Sequence, residues 1–151
     1  MVVPALGDRA VLGSALADTG ALLALLDRRD RWHQPCAVAF AELRLPLLTS
    51  AAVLAELFHL VRRSRMETST VWRFLRSGAV TVGPIADRDM PPLEALMNKY
   101  ADRPMDFADA TLVHLARRES LTTIFTVDGA DFSTYRIDGR KRFRIVPGVD
   151  R

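Results

Sequence analysis

The stretch Ala10-Val11-Leu12-Gly13-Ser14-Ala15-Leu16-Ala17-Asp18-Thr19-Gly20 decides the fold. Its first eight residues are almost wholly apolar, as a strand covered on both faces of a parallel sheet must be. Asp18-Thr19-Gly20 then reads as a turn, and Ala21-Leu22-Leu23-Ala24-Leu25-Leu26 as the helix it opens. Apolar strand followed by apolar helix is the unit from which an α/β sheet is assembled. The same alternation runs onward through the chain. A helix is expected at 32–43, a short strand at Leu45–Leu48, and a helix at 51–64 with Thr49-Ser50 as its N-cap signal. Further helices are expected at 67–77, at Asp87–Tyr100 from about Pro91-Pro92, and at Asp106–Glu119. Strands are expected at Ala79–Val82 and Leu121–Val127, with an edge strand at Phe143–Val146 in a weakly alternating tail. Residues 1–9 read as a poorly patterned leader and 10–151 as one domain.

Bulk properties narrow the class. The 151 residues suffice for one core, and 49% hydrophobic with 26% charged residues is ordinary for a globular protein. The single cysteine, Cys36, excludes an internal disulfide and reads as a small buried residue rather than a nucleophile. No apolar run approaches the ~18 residues of a membrane span, and the opening residues lack the layout of a signal peptide. A cytoplasmic protein is expected. The net charge is +3 with a pI near 9.6, and its arginines cluster. Arg28, Arg29 and Arg31 follow the first helix, and Arg62, Arg63 and Arg65 close another. For the second group, complementing a helix dipole and holding a polyanion are equal readings. The last group, Arg136, Arg140, Lys141, Arg142 and Arg144, has no predicted helix to complement, so phosphate contact is favoured there.

Four acidic residues stand out because each interrupts apolar sequence: Asp18, Glu56, Asp109 and Asp128. In a parallel α/β sheet the carboxyl ends of the strands gather at one edge, where such residues converge. Each has a plainer role open to it. Asp18 is a good N-cap, Asp128 sits in turn-like Val-Asp-Gly, and Glu56 falls at the border of its helix's apolar stripe. Asp106 and Asp109, three apart, share a helix face; capping by Asp106 leaves Asp109 facing the site. Gathered together, carboxylates resist ionising unless a cation neutralises them. Hard oxygen donors, with no clustered His or Cys, select Mg²⁺ or Mn²⁺. Phosphodiester chemistry is the commonest use of such a centre.

The local words around these residues resemble those of the PIN-domain nucleases, most closely the VapC-type toxins. They are Asp18-Thr19-Gly20-Ala21-Leu22, Thr49-Ser50 with Val53-Leu54-Ala55-Glu56, Asp106-Phe107-Ala108-Asp109-Ala110, and Thr126-Val127-Asp128 with Asp131-Phe132. The resemblance covers about residues 11–147 in the family's order. It implies a three-layer α/β/α fold with a mostly parallel sheet, and an endoribonuclease using one or two Mg²⁺ or Mn²⁺ ions. By carry-over, Asp18, Glu56, Asp109 and Asp128 are the catalytic metal ligands, Asp106 and Asp131 accessories, and Thr19 and Thr126 polar support. Metal-activated water would attack the phosphodiester and leave a 5′-phosphate. The resemblance also implies a homodimer and a small antitoxin partner. Many relatives carry Ser where Gly20 stands, so a hydroxyl contact is missing. The alternative is a catalytically inactive PIN-like module that binds RNA or protein. A receiver or dehalogenase site fits less well, since the acidic pair each requires near the first strand is missing.

His33, His59 and His114 are scattered and read as surface or packing residues, with His59 near enough to Glu56 to reach a cleft. Trp32, Trp72 and Phe74 read as packing residues; any exposed part of the Trp72 face would offer a partner contact.

Overall fold

The computed structural model describes residues 15–148. The leader at 1–9 and residues 10–14 of the first expected strand lie outside the described residues. Fifteen onward, Ala15–Ala17 forms β1, wholly buried as its apolar sequence requires. Asp18 caps α1 (Thr19–Leu26), so the expected turn at Thr19-Gly20 is the helix's own first turn. The chain continues through α2 (His33–Glu42) and β2 (Leu47–Thr49). Then come α3 (Ala51–Arg63), α4 (Thr68–Arg76) and β3 (Val80–Val82). A 3-10 turn at Asp87–Asp89 leads into α5 (Met90–Lys99), which has prolines in its first turn, where the missing N–H has no intrahelical partner to lose. α6 (Phe107–Glu119) and β4 (Thr123–Phe125) follow.

Three elements of the tail differ from the sequence expectation. Residues Gly129–Thr134 form a helix, α7, anchored by the buried Phe132. Six residues are too few to show a helical period in sequence. Arg136–Ile137 (β5) and Lys141–Arg142 (β6) make a small antiparallel hairpin, turning where Asp138 and Gly139 take positive φ. The edge strand is real and shorter, at Arg144–Val146 (β7).

Five strands form one sheet in the order β3-β2-β1-β4-β7, and every pair is parallel. Helices flank it: α1 packs on α2 and α3, while α6 packs on β1, α3 and α5. The architecture is thus α/β with a parallel sheet, as expected. From Ala110 to Ala116 every residue of α6 is buried, which explains why its sequence is apolar on nearly all sides. The chain builds outward from β1 to β2 and β3, then crosses to β4 on the other side of β1. That reversal opens a crevice beyond the carboxyl ends of β1 and β4.

Cys36 is fully buried, and burial pushes its thiol up to about 11, as a packing residue's would be. Trp72, expected to pack, is 53% exposed, its ring tilted 42° against Phe58 at 4.9 Å between ring centres. Among the described residues no helix is long and apolar enough to cross a membrane.

Candidate active site

Asp18 leaves the end of β1 and is buried. Its Oδ1 accepts the Thr19 backbone N–H at 2.8 Å, and its Oδ2 accepts the Thr126 hydroxyl at 2.9 Å. Thr126 follows β4, and its hydroxyl oxygen also accepts the Asp128 N–H at 2.9 Å. One threonine thus ties the two strands at the chain reversal to two of the four expected ligands. Asp18 is both a helix cap and part of the crevice, so its two sequence readings were never exclusive. Burial pushes its carboxyl up to about 6, against the pull of the Thr126 and Thr19 bonds, and Glu56 and Asp128 add repulsion.

Glu56 lies exposed on α3, where its Oε2 is 3.3 Å from the Thr19 hydroxyl. That proton is shared with the Val53 carbonyl at 3.4 Å. Behind these groups a file of buried hydroxyls fixes the elements. Thr49 donates to the Ala17 carbonyl at 2.8 Å. Ser50 accepts the Val53 N–H, capping α3, and lies 2.7 Å from the Thr111 hydroxyl. Because the Thr111 proton goes to the Ala108 carbonyl, Ser50 is the donor in that pair. Thr111 was legible as the polar residue in the apolar face of its helix, yet sequence reasoning passed over it.

Asp106 caps α6 by accepting the Asp109 N–H at 2.8 Å, as its position predicts. Asp109 then stands half-buried as the third residue of the helix, and its Oδ2 accepts the Tyr135 hydroxyl at 2.9 Å. Burial comes first in pushing the Asp109 carboxyl up to about 8, followed by repulsion from Asp18, Asp106 and Asp131. Asp128 is the N-cap residue of α7 and Asp131 lies in that helix's first turn. Desolvation and then its neighbour Asp131 push the Asp128 carboxyl up as well. Repulsion thus links Asp18 to Glu56 and Asp128, Asp109 to Asp18, Asp106 and Asp131, and Asp128 to Asp131 and Asp106. Among the described residues, no three acidic, imidazole or thiol side chains stand close enough to enclose an ion unaided. The donor set nevertheless suits Mg²⁺ or Mn²⁺, because every donor is a hard oxygen and these ions keep several waters of their own. His33 and His114 are bonded to the Ala24 carbonyl and Asp89, away from this cluster.

The basic tail is placed differently. Arg136 donates to the carbonyls of Ser133, Thr134 and Tyr135, closing the carboxyl end of α7. The expectation that this group had no helix to complement is corrected there, since α7 was not predicted. Arg140 sits in the hairpin turn, and Lys141 and Arg142 are exposed on β6. Arg144 pairs in register with Thr123, at the amino end of the strands, opposite the acidic crevice.

A parallel sheet with its chain reversal at a carboxylate-lined crevice is the arrangement expected of a PIN domain. The PIN domain family matches residues 15–137, and the chain belongs to that family. All four ligand candidates and Tyr135 fall within that match, while β6 and β7 fall beyond it. The chain is 32% identical over 134 residues to Ribonuclease VapC26 of Mycobacterium tuberculosis, covering 87% of this chain and 99% of that protein. Its fold is similar to that of Mycobacterium tuberculosis VapC20, a toxin that cleaves the sarcin–ricin loop, with a TM-score of 0.67. That match covers 78% of this chain and 94% of the other at 23% identity, and so speaks for the fold alone.

Proposed function

We propose that this protein is a divalent-metal-dependent endoribonuclease and the toxin of a toxin–antitoxin pair. One observation carries the chemistry: at the carboxyl ends of β1 and β4 the Thr126 hydroxyl bridges Asp18 and the Asp128 N–H, while the Thr19 hydroxyl reaches Glu56 of α3. In this reading Asp18, Glu56, Asp109 and Asp128 hold one or two Mg²⁺ or Mn²⁺ ions, and Asp106 and Asp131 assist through bound water. When bound, such an ion lowers the pKa of water and screens charge on the phosphorus and the leaving oxygen. The protein's own work is to gather its carboxylates and aim them. Thr126 and the Thr19 N–H hold Asp18 by both oxygens, and the Thr19 hydroxyl steadies Glu56. No serine, cysteine or histidine nucleophile is needed.

The 32%-identical relative is a ribonuclease, which supports RNA as the substrate. A toxin acting on RNA works in the cytoplasm, and residues 10–151 act as one domain. The exposed Trp72 on Phe58 offers an apolar seat for an antitoxin, and a homodimer is part of the same reading. The test is cleavage of total cellular RNA by purified protein with Mg²⁺ or Mn²⁺, against EDTA and Asp109→Asn controls. Discrete fragments that vanish in both controls are expected. No cleavage by folded, antitoxin-free protein with either metal would overturn the proposal.

A further inference from the structure

Tyr135 follows α7 and is 1% exposed, so nearly its whole surface serves packing. Its ring meets Tyr100 and Phe132 edge-on at 5.1 and 5.2 Å, and Phe132 meets Phe143 at 5.5 Å in the same manner. The Tyr100 hydroxyl in turn accepts the Arg136 backbone N–H at 2.9 Å. The ring therefore has little freedom to tilt or slide. Packing alone would be served by phenylalanine, because a buried hydroxyl is unfavourable unless it is bonded. The one bond this hydroxyl makes crosses 26 residues of sequence to Oδ2 of Asp109. Asp109 Oδ1 has no hydrogen-bond partner among the described residues.

We infer that Tyr135 is a positioning residue: it holds Oδ2 of Asp109 so that Oδ1 alone is presented to a divalent cation. This rests on the reading of the crevice as a metal centre. The tyrosine also joins the two halves of the cluster. Its backbone N–H donates to the Asp131 carbonyl at 3.1 Å, closing the helix that carries Asp131, while its phenol fixes the acid on α6. Hydrogen-bond partners of ligating carboxylates set their orientation, and losing one typically weakens metal binding ~10–100-fold.

The test is Tyr135→Phe, which keeps the ring and removes the donor. Mn²⁺ affinity of the RNA-free protein, read by electron paramagnetic resonance, is expected to fall about 10-fold or more. RNA cleavage should fall at limiting Mn²⁺ and recover as Mn²⁺ is raised, with KM for RNA unchanged. Phe132→Leu disturbs the same aromatic packing but keeps the hydroxyl, and its Mn²⁺ affinity should stay within about twofold of wild type, well short of the outer-sphere penalty. Equal Mn²⁺ affinity in wild type and Tyr135→Phe, or an equal loss in Phe132→Leu, overturns the inference. Wild-type protein that binds Mn²⁺ but cuts no RNA overturns the proposed function and leaves the tyrosine's role standing. Wild-type protein that binds no Mn²⁺ overturns both. If Tyr135→Phe does not fold, the wild-type sequence still decides. The chain has two tyrosines, so fluorotyrosine labelling gives two resonances, assigned with Tyr100→Phe. Mg²⁺ should shift that of Tyr135 more than that of Tyr100; equal or absent shifts overturn the inference.

Discussion

The two edges of the sheet carry opposite charge. At the carboxyl edge, Asp18, Asp109 and Asp128 crowd the ends of β1 and β4 and the start of α6. At the amino edge stands Arg144, beside Thr123, and Lys141 lines a small cavity there with Ala116 and Ser120. Strand direction explains the division. In a parallel α/β unit each helix starts at the carboxyl edge and ends at the other, so its positive pole faces the acids and its negative pole the bases. Accordingly α3 ends in Arg62 and Arg63, and α6 in Arg117 and Arg118. Basic and acidic clusters that look like partners in the sequence lie a strand's or a helix's length apart, roughly 10–20 Å. At physiological salt that distance exceeds the ~8 Å Debye length.

This contrast can be broken most forcefully at the acidic edge. Asp109→Asn and Asp18→Asn should each lower RNA cleavage by more than the ~100-fold that loss of an outer-sphere partner costs, while circular dichroism stays unchanged. Activity retained by either variant in metal-buffered solution would remove that residue from the site.

The next effect is thermodynamic. The folded Asp18 and Asp109 carboxyls are raised from 3.8 to about 6 and about 8. The folded chain therefore holds protons that the unfolded chain has released, and metal-free stability should fall as pH rises from about 4 through about 8. Saturating Mg²⁺ should offset the loss, most at the alkaline end. Thermal melts from pH 5 to 8, with EDTA and with Mg²⁺, check this; a metal-free Tm that rises across the range would contradict it.

A smaller effect is expected at Gly20. A Cβ there would stand 2.7 Å from Val127 Cγ2, because the first turn of α1 passes against the segment leading to Asp128. Overpacking of this kind costs about 1–3 kcal/mol, and serine's better helix propensity than glycine's returns less than about 1 kcal/mol. Gly20→Ser should thus be destabilising, and Val127→Ala in the same chain should relieve it. Denaturant midpoints of the single and double variants measure the coupling. At the amino edge, Lys141→Ala with Arg142→Ala should change cleavage by less than about threefold at physiological salt, given the screening. A larger loss would show RNA reaching around the hairpin.

Much of this arrangement was readable beforehand. Buried β1, the serine cap of α3 and the aspartate cap of α6 follow from short-range patterns that the structure keeps. The acids were conspicuous because each broke an apolar run. Tyr135 was not, since nothing in its neighbourhood signals a bond to a helix 26 residues earlier. The absence of serine at position 20 looked like a lost hydroxyl, whereas the structure gives it a steric reason in Val127. The short helix that Arg136 closes was not expected, because six residues carry no periodic signature.

The sheet order has a consequence for synthesis. β1 is among the first elements made, yet one of its two neighbours, β4, comes only at Thr123–Phe125. The ribosome delivers the chain from its amino end, so a growing polypeptide bears Asp18 and Glu56 long before Thr126 and Asp128 exist to complete the crevice. Completion of the crevice is therefore among the last steps open to this chain, and the RNA cleavage proposed above would have to wait until most of the chain has been translated.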